Sequence, residues 1–198
     1  MEFFSRLKKY DIILGSNSPR RKQLLEQSGI PFRVLGKQTS EDFPKSLSPE
    51  EIVLFLSKNK SKAYTEELSA KNTIVITADT IVISDGEILN KPSDAAEAEK
   101  MLRSLSGKTH EVYTGVTISS NSDSTCFFDK TLVSFAKLSK EEITYYINNF
   151  KPFDKAGSYG IQEWLGLIGI DRIEGSYHNV VGLPVQKVYA VLKSFINE

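Results

Sequence analysis

The apolar and polar positions of the chain change period several times, and each change marks an element. Residues 11–16 (DIILGS) are a short apolar run that predicts a buried strand. Ser18 and Pro19 then open a helix, the serine as N-cap and the proline at the first helical position, and it runs to about Ser28 before Gly29 stops it. Residues 32–35 predict a second strand, and the polar stretch 37–48, with Glu41, Asp42 and Pro44, predicts a loop. Ser48-Pro49-Glu50-Glu51 starts another helix, with Glu51 at the capping-box position, that reaches about Leu68. The most apolar stretch, 73–83 (TIVITADTIVI), predicts a central strand. Ser93-Asp94 begins a helix that continues to about Leu105 and ends at Gly107. Residues 109–119 and 126–136 predict paired strands joined by the polar turn 120–125, and 139–149 predict a helix. Glycine-rich loop and strand material follows, and 183–196 predict a final helix. Strands alternating with helices early, and a strand pair later, define an α/β fold with a mixed central sheet and flanking helices.

Composition narrows this picture. A chain of 198 residues suits one well-formed core better than two independent ones, and no repeat or linker divides it, so residues 1–198 are expected to form a single domain. Lys and Arg together equal Asp and Glu at 25 each, which argues against a bulk nucleic-acid binder while leaving room for a small basic pocket. The lone Cys126 excludes an intrachain disulfide and a cysteine metal cluster. Residues 1–10 mix Phe3, Phe4 and Leu7 with Arg6, Lys8 and Lys9, unlike a signal peptide, and no apolar run approaches the roughly 20 residues of a membrane span. A cytoplasmic protein without a membrane or nucleic-acid partner is expected. His110 and His178 lack metal-motif spacing and read as structural, no nucleophile elbow surrounds the serines near Ser16, and Tyr145 and Tyr146 read as core. Trp164 is compatible with core, loop cover or a stacking surface.

Function is best sought where residues break the local rule. Asp79 interrupts the most apolar stretch of the chain, where an unpaired carboxylate is costly. It either meets a metal, a cation or donors, or caps a turn at a strand end. Lys60 follows Leu56 by four and precedes Ala63 by three, so it shares the apolar face of its helix, either for chemistry or as a snorkelling edge lysine. Residues 16–21 (SNSPRR) join a strand to a helix N-terminus. Ser16, Arg20 and Arg21 there suit a phosphate, because two arginines at the positive end of a helix dipole call for an anion; a capped helix with a solvated first turn is the alternative. Residues 154–162 (DKAGSYGIQ) surround one lysine and one glutamine with small residues. Lys155 can reach a phosphate there and Gln162 a base edge, or the stretch is an ordinary turn-rich connection.

Taken in order, LGSNSPRRKQLLEQSGIPF (14–32), LSKNKSKAY (56–64), ITADTIVISDGEILNKP (76–92), AEKMLRSLSGKTHEVYTGV (98–116), DKAGSYGIQ (154–162) and GSYHNVVGLP (175–184) resemble the Maf family of nucleotide pyrophosphatases over nearly the whole chain. The resemblance implies two lobes around a cleft, related to the inosine triphosphate pyrophosphatase fold, and metal-dependent cleavage between the α- and β-phosphates of a nucleoside triphosphate. It implies Asp79, in the Ala-Asp-Thr string, as catalytic base, and Arg20, Thr80 and Gln162 as determinants of substrate choice. Relatives acting on 7-methyl-GTP tend to carry Trp in place of Arg20 and Gln in place of Thr80, so this chain resembles the dTTP/UTP branch. It departs from the family at Glu163-Trp164, where Gly often follows Ile-Gln. A homodimer is a family expectation.

On this reading Glu41 and Asp79 are the expected ligands of a divalent cation, Mg²⁺ or Mn²⁺. Ser16, Arg20, Arg21, Lys60, Lys91 and Lys155 are the expected phosphate-binding residues, and Gln162 matches the N3–H and O4 edge of uracil or thymine. Two alternatives remain at this stage: a housecleaning hydrolase for modified pyrimidine nucleotides, and a non-enzymatic nucleotide sensor linked to cell division.

Overall fold

The structure, a computed structural model, describes residues 2–196. The chain gathers into two compact units. The first contains the chain up to Asp79, Thr114–Asp129 and the chain from Gly182 onward; the second contains Thr80–Tyr113 and Lys130–Val181.

In the first unit, α1 (Glu2–Leu7) buries Phe3 and Leu7, and β1 (Asp11–Leu14) follows. α2 (Pro19–Gln27) starts as expected, with Ser18 accepting from the Arg21 N–H and Pro19 in the first turn. β2 (Arg33–Val34) is short, and α3 (Pro49–Lys62) carries the complete Ser48/Glu51 capping box. α4 (Thr65–Leu68) follows after a break, and α9 (Val185–Phe195) closes the described chain. The strand β3 (Thr73–Ser84) begins in this unit, and β1 pairs parallel with both β2 and β3, setting Ile12 opposite Ile74 and Ile13 opposite Val75. Ile12, Ile13, Leu14, Leu25, Ile74, Val75 and Ile76 are essentially inaccessible, and burial of each such side chain is worth roughly 1.5–3 kcal/mol.

In the second unit, β4 (Glu87–Leu89) pairs antiparallel with the end of β3. α5 (Ala95–Leu105), capped by Asp94, packs on α6 (Lys140–Phe150), capped by Ser139. α7 (Trp164–Gly169) leads into β7 (Ile170–Glu174), antiparallel to β6 (Ser124–Phe135), and α8 (Tyr177–Val181) follows. With β5 (Thr109–Ser119), the strand order is β2-β1-β3-β5-β6-β7, with β4 alongside β3. The expected mixed α/β architecture is therefore present.

Several expectations are corrected. The helix predicted to reach Leu68 breaks after Lys62, because Tyr64 turns fully inward and donates its hydroxyl to the Leu35 carbonyl at 2.5 Å. β4 arises from a two-residue turn at Asp85-Gly86, both at positive φ (51° and 80°), a hairpin geometry that an Asp-Gly pair favours. The helices α1, α7 and α8 were not anticipated. Tyr145 is 49% exposed rather than core, and lies against Trp164 with ring centroids 4.7 Å apart.

Candidate active site

Asp79 lies in the interior of β3, not at its end, and is 8% exposed. The residues beside it on the strand, Ala78 and Thr80, carry no charge, so its counter-charge has to come from another element. It comes from Lys60 of α3, whose ammonium donates to the Asp79 carboxylate and, at 3.1 Å, to Glu41 Oε1. Lys60 is therefore no snorkelling edge residue: its side chain is 16% exposed, and it joins a strand carboxylate to a loop carboxylate.

The sequence of α3 explains why the ammonium arrives there. Ser57 and Ser61 sit one helical turn apart on the face that carries small residues, and both are buried. The Ser57 hydroxyl meets Thr117 Oγ1 at 2.9 Å, and the Ser61 hydroxyl meets Ser119 Oγ at 2.8 Å. Thr77 of β3 donates to the Ser57 carbonyl at 2.8 Å. Gly115 of β5 lets the helix backbone come close, since a Cβ there would stand 2.3 Å from the Val53 carbonyl oxygen. These contacts fix the height of α3 on the strands and so the reach of Lys60.

The strand-to-helix junction 15–21 is built on the same strand. The Gly15 N–H donates to the Ile76 carbonyl at 2.8 Å, and a Cβ on Gly15 would meet Thr77 and the Tyr64 ring at 2.8–2.9 Å. Ser16 is buried, and its hydroxyl accepts from the Ser18 N–H at 3.2 Å and from Arg21 Nη1 at 3.4 Å. Arg21 Nε donates to the Gly182 carbonyl at 2.8 Å, and Nη1 donates to the Ala78 carbonyl at 2.9 Å. The guanidinium thus holds the peptide immediately before Asp79. Burial pulls its pKa below the ordinary arginine value, while the Asp79 carboxylate opposes that shift. Arg20 is partly exposed on the first turn of α2.

Glu41 lies on the loop before α3, half exposed. The base of that loop is tied down: the Lys37 N–H donates to Tyr64 Oη at 3.1 Å, and Lys37 Nζ reaches the Ala63 carbonyl and Glu67. Two carboxylates from different elements, converging on one positive charge, form a donor set of the oxygen type that suits a hard divalent cation. Among the described residues, no group of three or more His, Cys, Asp or Glu side chains gathers into a metal cage, at this pair or elsewhere.

The other expected site residues belong to the second unit. Thr80 follows Asp79 on β3 and is partly exposed; Lys91 is exposed on the loop between β4 and α5. The Gly157 N–H donates to the Asn90 carbonyl at 3.3 Å, which sets the 154–162 stretch beside that loop. Lys155 is 7% exposed, and its ammonium lies 2.7 Å from Asp154 Oδ1 and 3.0 Å from Glu163 Oε1. Gln162 is exposed on a turn that the Glu163 N–H closes by donating to the Gly160 carbonyl at 3.0 Å.

Two residues of this region were not among the expected site residues. Tyr146, read as core, is inaccessible yet polar in function: its hydroxyl donates to Glu163 Oε2 and accepts from the Gly160 N–H at 2.9 Å. Burial, reinforced by Glu163, raises its pKa well above the ordinary tyrosine value, so it stays a donor. Glu163 was visible in the sequence only as a departure from the family pattern.

This α/β architecture, with a carboxylate inside a core strand, is the class to which the chain belongs structurally. It is similar to the Ham1 protein of Staphylococcus aureus, with a TM-score of 0.53 and 16% identity, covering 93% of this chain and 99% of that one. Residues 11–195 match the family described as Maf-like protein, and the chain belongs to the Maf family. It is 53% identical over 193 residues to a dTTP/UTP pyrophosphatase of Porphyromonas gingivalis strain ATCC 33277, covering 96% of each chain. A dTTP/UTP pyrophosphatase of Cytophaga hutchinsonii is 50% identical, covering 98% of this chain and 88% of that relative. One of Bacteroides fragilis strain YCH46 is 46% identical, covering 96% and 98%. Among the described residues no helix is long and apolar enough to cross a membrane.

Proposed function

We propose that this chain hydrolyses dTTP and UTP to the monophosphate and pyrophosphate. The observation that carries the reading is Asp79: a carboxylate buried inside a core strand with no other charged residue, partnered by the Lys60 ammonium and fixed through Arg21 on the preceding peptide. The similarity to relatives named dTTP/UTP pyrophosphatase, at about half identity over nearly the full length, supports the substrate.

A water oriented by Asp79 attacks the α-phosphorus. Its proton passes to the carboxylate, a new P–O bond forms, and the α–β bridging bond breaks with its electron pair leaving on pyrophosphate. Lys60 stands next to the carboxylate and offsets charge that develops on the phosphate oxygens; Arg20, Lys91 and the polar groups about Ser16 are assigned to the same task. Asp79 and Glu41 are the residues that would hold a divalent cation, which when bound supplies charge neutralisation and a more acidic water. Gln162 is assigned to the N3–H and O4 edge of the base, for which its amide offers an acceptor and a donor. Thr80 and Arg20 complete the selectivity set.

The test is pyrophosphate release from a panel of nucleoside triphosphates with Mg²⁺ or Mn²⁺ and with chelator, for the wild type and Asp79→Asn. The expected result is metal-dependent release from dTTP and UTP, reduced about a thousandfold in the variant, in the range general-base removal produces. Near-normal turnover by Asp79→Asn would overturn the assignment. Release confined to modified pyrimidine triphosphates would replace the substrate and keep the chemistry.

A further inference from the structure

Gln162 is exposed, and a long amide side chain on an exposed turn is a poor reader of a base edge unless its backbone is held. The hold is visible on both sides of it. Upstream, the Gly160 N–H donates to Tyr146 Oη at 2.9 Å. Downstream, the Glu163 carboxylate accepts from the same hydroxyl through one oxygen and from Lys155, at 3.0 Å, through the other. Lys155 is itself anchored by Asp154 at 2.7 Å. Gly160 is required for this closure, because a Cβ there would stand 2.8 Å from the Glu163 carboxyl carbon. The following helix presses on the turn from its other end: a Cβ on Gly166 would lie 2.0 Å from the Ile161 carbonyl oxygen.

From this closed chain we infer that Glu163 is a positioning residue for base selection. With Tyr146 and Lys155, it fixes the Gly160–Glu163 turn so that the Gln162 amide is presented in one orientation. The inference rests on the base-reading role proposed for Gln162. It also gives Lys155 a task other than phosphate binding, since its ammonium is engaged by two carboxylates within its own segment. A released turn lets the amide swing and flip, so that the uracil edge and the reversed cytosine edge are accepted more equally.

The experiment is the ratio of kcat/KM for UTP to that for CTP in the wild type, Gln162→Ala, Glu163→Gly, Glu163→Gln, Tyr146→Phe and the double variant Gln162→Ala/Glu163→Gly. Glu163→Gly and Tyr146→Phe should each lower the ratio about tenfold. Glu163→Gln, which keeps an acceptor for Tyr146, should recover part of it. The double variant should discriminate no worse than Gln162→Ala alone, the non-additivity expected of residues acting through one another. If Gln162→Ala lowers the ratio but Tyr146→Phe and Glu163→Gly keep it within twofold of wild type, the positioning role is overturned and the base-reading role stands. If Gln162→Ala leaves the ratio intact, both are overturned. Equal losses on UTP and CTP in the Glu163 and Tyr146 variants mark a merely structural role and overturn the inference.

Discussion

Two lysines, one in each unit, share a chemistry and differ in where their partners come from. Lys60 and Lys155 are both largely withdrawn from solvent, and both ammonium groups meet two carboxylates. The Lys155 partners, Asp154 and Glu163, lie within ten positions of each other in one segment, and the second oxygen of Glu163 is taken by Tyr146. That arrangement closes on itself and stiffens a turn. The Lys60 partners come from a core strand and a half-exposed loop, so the charges converge from separate elements. Side chains drawn together from distant segments at the cost of burying a carboxylate are more informative about chemistry than an equally buried local pair.

The largest effect expected from this contrast is on turnover. Lys60→Met should lower kcat by about 10²–10³-fold, the usual loss when one preorganised electrostatic partner is removed. It also leaves Asp79 buried without that counter-charge, so a drop in thermal midpoint should accompany it. Lys155→Met should leave kcat for UTP within about tenfold and act mainly on selectivity between bases. Steady-state pyrophosphate release with both variants checks the comparison directly. If Lys155→Met costs as much kcat as Lys60→Met, the two lysines are not functionally distinct.

The elements that the sequence made legible were those whose signal is local. Ser48 with Glu51, Ser18 with Pro19, and Asp94 all start helices where expected, because a cap depends on residues within one turn. Asp79 was legible for the same reason, as a charge inside the most apolar stretch of the chain. Glu163 and Tyr146 were not, because their role depends on α6 coming alongside a turn seventeen residues further on. Nor was the helix break at Tyr64, which follows from a hydroxyl reaching Leu35. The small residues Ser57, Ser61 and Gly115 look unremarkable in order, and acquire meaning only when the helix and strand face each other.

The units should also differ in how they respond to acid. His110 in the second unit is inaccessible, hydrogen-bonds Tyr159 Oη through Nε2 at 2.7 Å, and among the described residues has no partner for Nδ1. Burial lowers its pKa to about 4 from 6.5. The folded state therefore holds a neutral ring where the unfolded chain takes up a proton. Its stability is intact above about pH 6.5, falls as pH drops toward 4, and loses nothing more from this group below that. The loss amounts to roughly 3 kcal/mol at the acid end. Urea unfolding of the wild type and His110→Phe at pH 7 and pH 4.5 isolates it. The variant starts less stable, because Tyr159 loses its partner, but should show the shallower dependence; parallel curves would remove His110 as the source.

The smallest effect belongs to an exposed charge pair of the first unit. Arg33 grips Asp11 with two nitrogens, Nε at 2.9 Å and Nη2 at 2.8 Å, and this hydrogen bonding holds the Asp11 carboxyl below its ordinary pKa. A depressed carboxylate stabilises the fold at neutral pH, and the contribution disappears as acid protonates it. Both side chains are about half exposed, however, so solvent screens the pair and it is worth under about 1 kcal/mol. Asp11→Asn should shift the urea midpoint slightly at low ionic strength, and the shift should vanish in about 1 M salt, where the Debye length is about 3 Å. A shift that survives the salt would mean that the carboxylate does more than pair with Arg33. Asp11 opens β1 opposite Thr73, and the first candidate would then be its role in starting the parallel register with β3.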